Sequence, residues 1–491
     1  MRVERRQLPL PSRERVGVRG RRSISPRSPA AGIGAYLAIA MLLMCALAVS
    51  SAGEEAHGVI RLPNGPHLFI DDHLIAEQHG LKRTVNQPER LPAPVVTGPE
   101  DKCFQPYVTV VRDPQTKRFR MWYGVPFEEG SKSRSRLAYM ESEDGVRWIR
   151  PHRVLEDPSP IQFGVSIIDE GPDYTDPSKR YKYGYWYGGG LRIATSPDGF
   201  RWTPVSPDVV LTHNHDIASI FRDPIRKRYG ALVSSYTTGD GWQGNRRIPM
   251  ASFSTDLVHW KEPWRVIEPD EKDEGETQFY CAAGVIARGD LLIGLLKVLR
   301  DEVVAEGAPQ GAYGVGYTVL TWSRDGVHWE RDREPFLPRN PKPGAWDYAM
   351  TWGDCQLVVD DEVMIYYGGY QWGHKWELFT QRQIGLARMP LDRYVSRDAE
   401  ERGTLLTPLL ILDARRFSVN ANVAGGMQVR VLDESGKPVP GFDWTECAVI
   451  RGDSVRHEVR WKGNLSSLKD RAVRLEFAIR KGRLYGFDLA R

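Results

Sequence analysis

Ser142-Glu143-Asp144-Gly145-Val146-Arg147-Trp148 is the phrase on which the reading of the fold turns. It recurs as Ser196-Pro197-Asp198-Gly199-Phe200-Arg201-Trp202 and as Ser323-Arg324-Asp325-Gly326-Val327-His328-Trp329. A degenerate copy, Ser254-Thr255-Asp256-Leu257-Val258-His259-Trp260, has Leu in place of Gly. Recurrence every fifty to seventy residues signals a repeat architecture. Asp-Gly permits the positive φ of a tight turn, and the Ser and Asp side chains can bond nearby backbone groups. The Trp can then pack its ring between neighbouring units. The phrase reads as a structural staple, not as chemistry.

What leads into each staple also repeats. An apolar strand, a polar turn and a second strand rich in aromatic or β-branched residues run from Val108 through Arg112-Asp113-Pro114 to Tyr123. The same sequence of elements runs from Ser166 through Asp176-Pro177 to Trp186, and from Ser219 through Arg222-Asp223-Pro224 to Val233. It returns from Gly284 to Leu296 and from Gln356 to Tyr367. A third strand follows, as in Arg136 to Glu141 or Val315 to Leu320. Five four-stranded antiparallel blades around a channel make a β-propeller. The content of 47 Gly and 34 Pro suits many short strands and turns. The fold class expected is all-β: a five-bladed β-propeller over residues 103–400, then a β-sandwich over 402–491. Residues 53–102 form a lead-in, in which His67 to Ile75 is apolar enough to add a ring-closing strand to the last blade. The Asp71-Asp72 pair within it reads as turn or edge carboxylates.

The first thirty residues hold nine Arg and two Glu, and an uncharged apolar run, Ala31 to Ala48, follows them. With small residues at Val49 to Ala52, residues 1–52 read as a signal peptide, or as a retained N-terminal membrane anchor. The chain is therefore expected to be exported: periplasmic, cell-surface or extracellular. Removing this segment turns a formal charge of +4 into about −3. The pI of about 8.6 then gives no support to nucleic-acid binding. A membrane is a partner only if the segment is retained. Four cysteines remain (Cys103, Cys281, Cys355, Cys447), without a Cys-x-x-Cys pair, so there is no zinc pattern; neither a metal nor another cofactor is expected.

Within a blade the first strand lies innermost, so its start and the loop between the second and third strands share one rim of the channel. That rim collects carboxylates beside aromatic rings. Aromatic faces pack on the C–H face of a sugar ring, while carboxylates bond hydroxyls and carry out acid–base work. Asp216, Glu276 and Asp347 stand near equivalent places in three successive blades and are the catalytic candidates. Glu276 is taken as general acid, with Asp216 or Asp347 as base or nucleophile. His215, Gln278, Trp346, Trp372, His374, Arg246 and Arg300 are the candidates for contacting a carbohydrate substrate. The staples fall on the opposite rim.

On these features the chain resembles the five-bladed-propeller glycoside hydrolases of families 32, 43 and 68 and their uncharacterised bacterial relatives. The resemblance rests on the Arg-Asp-Pro turns at 112–114 and 222–224, the staples, the segment Ile384 to Tyr394 and the trailing sandwich, and it covers most of residues 60–491. It implies an exported glycoside hydrolase using two carboxylates at the channel mouth. Family 32 and its relatives place a nucleophile in a first-blade Asn-Asp-Pro context and an acid in a later Glu-Cys. Here blade one begins Phe104-Gln105-Pro106 and Glu446-Cys447 falls in the sandwich, so no catalytic residue transfers by motif. Two other readings stay open: a non-catalytic glycan- or protein-binding propeller, and a sialidase-like enzyme, whose Asp-boxes the staples resemble with one residue fewer.

Overall fold

The computed structural model describes residues 58–128, 131, 133–374, 376 and 381–491. The segment read as an export signal lies outside the described residues. Within them the regular structure is almost wholly strand. The α-helical part is one turn, Gly98–Asp101, capped by Thr97.

Five four-stranded antiparallel units follow one another. Unit one is Gln105–Arg112, Phe119–Pro126, Ser135–Ser142 and Arg153–Val154. Unit two is Phe163–Asp169, Tyr181–Trp186, Gly190–Ser196 and Thr203–Pro204. Unit three is Ala218–Asp223, Arg228–Gly239, Trp242–Ser254 and Trp264–Arg265. Unit four is Gln278–Arg288, Leu291–Arg300, Val315–Ser323 and Glu330–Arg331. Unit five is Met350–Val359, Glu362–Tyr370 and Gln383–Pro390, and its fourth strand comes from far upstream, Glu89–Arg90. The first strands of the five units touch in chain order, and the fifth touches the first. First strands are covered on both sides, as the burial of the adjacent and therefore oppositely facing Ile220 and Phe221, and of Phe279 and Tyr280, records.

Each staple forms as its sequence demands. Ser142 Oγ bonds Asp144 Oδ1 at 3.0 Å, and that oxygen accepts from the amides of Val146 and Arg147, both at 2.8 Å. Gly145, Gly199 and Gly326 take φ of +72°, +80° and +71°. The degenerate copy keeps the same bonds with Leu257 at φ +70°. A left-handed Leu costs about 1–2 kcal/mol. Leu257 is buried in a cluster with Leu191 and Ile193 of unit two, which returns about 1.5–3 kcal/mol and offsets the strain.

The staples also join units. The carbonyl of Gly199 accepts from the Trp122 indole of unit one at 2.9 Å, and that of Val327 from the Trp264 indole of unit three at 3.0 Å. The carbonyl of Gly145 accepts from the Tyr366 hydroxyl of unit five at 2.7 Å, so unit one's staple docks on the last unit. Backbone and side-chain hydrogen bonds hold the carboxyls of Asp144, Asp198, Asp256 and Asp325 below the usual range, against the opposing effect of burial. A depressed folded value means that the stability each contributes is present above the unfolded carboxyl's value of about 3.9 and is lost as pH falls towards the folded value. Thermal melts between pH 6 and 2.5 should therefore show a steep acid loss, and Asp325→Asn should flatten it. An unchanged slope would separate the staples from acid unfolding.

Residues 60–85 correct the expectation for the lead-in. Gly65–Leu68 pairs antiparallel with Ala472–Ala490, and Lys82–Val85 with Val395–Leu406. The stretch expected to close the ring thus joins the C-terminal sheet, and Glu89–Arg90 supplies the strand on unit five instead. Val395–Leu406 also runs straight through the boundary expected near residue 402. The long strands Arg416–Leu432 and Ala472–Ala490 dominate this sheet and cover a separate core. Odd-numbered Phe417, Val419, Ala421, Val423, Met427, Val429 and Val431 are buried, the period of two of a half-buried strand. Asp71 is bound by Arg324, and Asp72 pairs with Arg397, so both anchor the lead-in. Cys103, Cys281, Cys355 and Cys447 are buried free thiols, and burial pushes Cys281 and Cys355 up to about 12.

Candidate functional site

The first and third strands of each unit run the same way. The staples and the Arg-Asp-Pro turns therefore lie at one end of the ring, and the starts of the first strands lie at the other. Polar groups converge at this second end. His215 Nδ1 lies 2.9 Å from Ser234 Oγ and 3.1 Å from Asp216 Oδ1. Arg247 Nε donates to His215 Nε2 at 3.0 Å. Since a guanidinium only donates, a neutral His215 carries its proton on Nδ1, the nitrogen facing Ser234 and Asp216. The Tyr280 hydroxyl lies 3.4 Å from Asp216 Oδ1.

A second carboxylate, Asp301, closes the cluster. Its Oδ2 accepts from Arg247 Nη1 at 3.1 Å and Gln278 Nε2 at 3.4 Å, and its Oδ1 lies 3.2 Å from His374 Nδ1. Gln278 Oε1 in turn accepts from Arg247 Nη1 at 2.7 Å. The rings of His215, His374 and Trp352 stand 5.0, 5.2 and 4.8 Å from that of Tyr280, and the Arg247 guanidinium lies 4.9 Å from the same ring. Burial pushes the Asp216 carboxyl up, against the opposing charges of His374 and Arg247. Burial lowers His374 and so favours its neutral form. The Asp216 side chain nonetheless keeps 23 % of its surface exposed, enough to meet a ligand.

Of the residues expected here, Asp216, His215, Gln278 and His374 are brought together. Trp372 packs on the same aromatic cluster, edge-on to Tyr348 at 6.4 Å. The other two carboxylates do not join them. Glu276 is exposed, and it is its amide that is engaged, donating to Glu302 at 3.1 Å. Asp347 is buried and held by Asn340 at 2.7 Å, Tyr367 at 2.9 Å and Arg90 at 3.5 Å. Its neighbour Trp346 stacks on Tyr367 and donates to the Pro92 carbonyl. Both thus fasten the upstream strand onto unit five. Arg246 turns outward to the carbonyls of Gly275 and Thr277, and Arg300 pairs with Glu274 and Glu302. Glu446 closes a capping box on Asp443, a local structural role.

Tyr280 is not singled out by the sequence, whereas Arg247 and Asp301 belong to rim loops that are, beside the candidates Arg246 and Arg300. Neighbouring side chains on a strand face opposite ways, so of Arg246 and Arg247 on Trp242–Ser254 it is Arg247 that reaches His215 and Asp301. Tyr280 lies at a register shift between Phe279 and Cys281, where a bulge re-aims the side chain. Between the first strands, towards the staple end, lies a cavity of about 630 Å³ walled by residues such as Val110, Ile167, Ile220 and Leu357. Asp354 at its inner end is already paired with buried Lys297, so this cavity offers little acid–base chemistry.

No family model and no curated protein matches the chain. Among solved structures it is similar to one described as a glycoside hydrolase, at 14% identity and a TM-score of 0.44, over 62% of this chain and 92% of that one. A structure described under the GH130 family of mannoside phosphorylases, with glycoside hydrolases that target β-1,2 mannosidic linkages in Candida mannan, matches at 14% identity and a TM-score of 0.38, over 63% and 97%. An exo-β-1,3-galactanase from Phanerochaete chrysosporium matches at 11% and 0.39, over 83% and 99%. Likeness at this level assigns no family and carries no argument about activity, so the functional reading rests on the site.

Proposed function

We propose that the five units are the blades of a propeller and that the protein is an exported hydrolase acting on a glycan at the mouth opposite the staples. One observation carries this: a half-buried carboxyl, Asp216, raised by burial, and a second carboxylate, Asp301, border the same pair of packed rings, Tyr280 and His374. Glycoside hydrolysis needs one carboxyl that holds a proton and one that is ionised. Asp216 is the proton donor to the leaving oxygen, oriented by His215 and Tyr280. Asp301, fixed by Arg247 and Gln278, is the partner carboxylate that stabilises or engages the sugar. Asp301 replaces Glu276 and Asp347 in the pairing read from the sequence. The aromatic faces of Tyr236 and Tyr313, exposed at 43% and 41%, offer sugar platforms on the same rim.

The test is to assay the secreted protein against aryl glycosides and plant, algal and mucin-type polysaccharides. Release of reducing ends or aglycone supports the reading. A non-catalytic binding propeller is the second reading, favoured by the three side chains that already occupy Asp301. Saturable glycan binding without product over days would select it.

A further inference from the structure

Three arginines are buried among the described residues: Arg382, Arg393 and Arg397. Arg393 pairs with Asp453 and Arg397 with Asp72. Arg382, 3% exposed, has no carboxylate partner among the described residues. Its Nη1 donates to Gln105 Oε1 and its Nη2 to the His374 carbonyl, both at 2.6 Å, and its buried Nε meets no acceptor. Neutral acceptors do not cancel a buried charge, and removing such a charge from water without a counter-ion is costly.

This charge lies beside the candidate site. Arg382 stands 5.1 Å from the Tyr370 ring, and the Tyr370, Trp352 and Tyr280 rings are in succession 6.0 and 4.8 Å apart. The Tyr280 hydroxyl, which bonds Asp216, feels the positive charges of both Arg247 and Arg382. When Asp216 holds its proton, Asp301 alone faces two guanidiniums. Elsewhere in the channel the other buried cation, Lys297, is matched by Asp354. The imbalance is local to the mouth.

We propose that the mouth selects saccharides bearing an anionic substituent, a carboxylate or a sulfate, with Arg382 as the charge that selects them. This rests on the glycan reading above but concerns binding, and it can fail separately from catalysis. In a low-dielectric, partly buried site such a charge acts over several ångströms with little screening.

Calorimetric titration of the mature chain with oligogalacturonate, alginate oligosaccharide and a sulfated galactan oligosaccharide, each beside its carboxyl-reduced or desulfated counterpart, tests it. At least one anionic member should bind tenfold or more tighter than its neutral counterpart, and the preference should shrink with salt. The uronates and the sulfated probe tell carboxylate from sulfate. Arg382→Gln should abolish the preference and Arg382→Lys should keep part of it, with thermal melts confirming folding. If Arg382→Gln does not fold, Arg382→Lys and the wild-type salt series decide. Equal or tighter binding of the neutral members, no binding of any anionic probe, or a folded Arg382→Gln with its preference intact would overturn the proposal. Anionic binding without cleavage counts against the hydrolase reading alone. Cleavage of neutral glycans without anionic preference counts against this one alone.

Discussion

Asp216→Asn is expected to lower turnover of a cleaved glycan by about 10²–10⁴-fold, the usual contribution of a positioned acid, while binding changes little. Asparagine keeps the shape and the contact with Tyr280 but has no proton to give. The pH dependence supplies a second readout. Burial raises the folded value of Asp216, so the protonated form persists to higher pH than for an ordinary aspartate, and the alkaline limb of kcat should move up with it. The stability consequence has the opposite sign to that of the staples. A raised folded value contributes stability that is present below the unfolded value of about 3.9 and lost as pH rises through the folded value. At pH 7 the wild type bears the cost of a half-buried carboxylate that the variant lacks. Asp216→Asn should therefore melt at or above the wild-type temperature at pH 7 and lose that advantage at pH 3.5. Asp301→Asn should also lose turnover, but it should destabilise, since it weakens the acceptor for Arg247 and Gln278. A folded Asp216→Asn with full activity would remove the carboxyl from the mechanism.

Trp148→Ala is expected to cost the fold about 3 kcal/mol, the lower end for large aromatic truncations. Trp148 is buried in a cluster with Met364, Tyr366 and Leu386 of unit five, its ring 6.2 Å from that of Tyr366. It is thus part of the seam between the first and last units. Its buried indole N–H has no acceptor, as is also true of Trp202 and Trp329. Losing an unpaired donor returns part of the loss, which is why the lower end applies. Denaturant unfolding measures the cost. Glycan affinity of the folded fraction should stay within error of wild type, because the staple lies at the end of the ring away from Asp216. Lost affinity in a stable variant would overturn that assignment of ends.

What the sequence by itself determined is whatever rests on short-range rules. The staple's Ser, Asp, Gly and Trp lie within seven residues, so their turn and its repetition declare themselves without a partner strand. The same holds for the alternation of apolar strands and polar turns that delimits the five units. Tertiary structure alone decided three further things. Pairing across hundreds of residues sends Gly65–Leu68 to the C-terminal sheet and Glu89–Arg90 to unit five, since an edge strand accepts any strand of suitable length and geometry settles which. Facing was decided at Arg246 and Arg247, where one residue of register exchanges the carbonyls of Gly275 and Thr277 for His215 and Asp301. Tyr107, Tyr280 and Asp354 lie at register shifts in their first strands, where the period of two is interrupted. A bulge leaves no dependable mark in the local pattern, because the extra residue is left unpaired and shows itself only against the partner strand. Tyr280, which bonds Asp216, is therefore a side chain that counting by twos could not place.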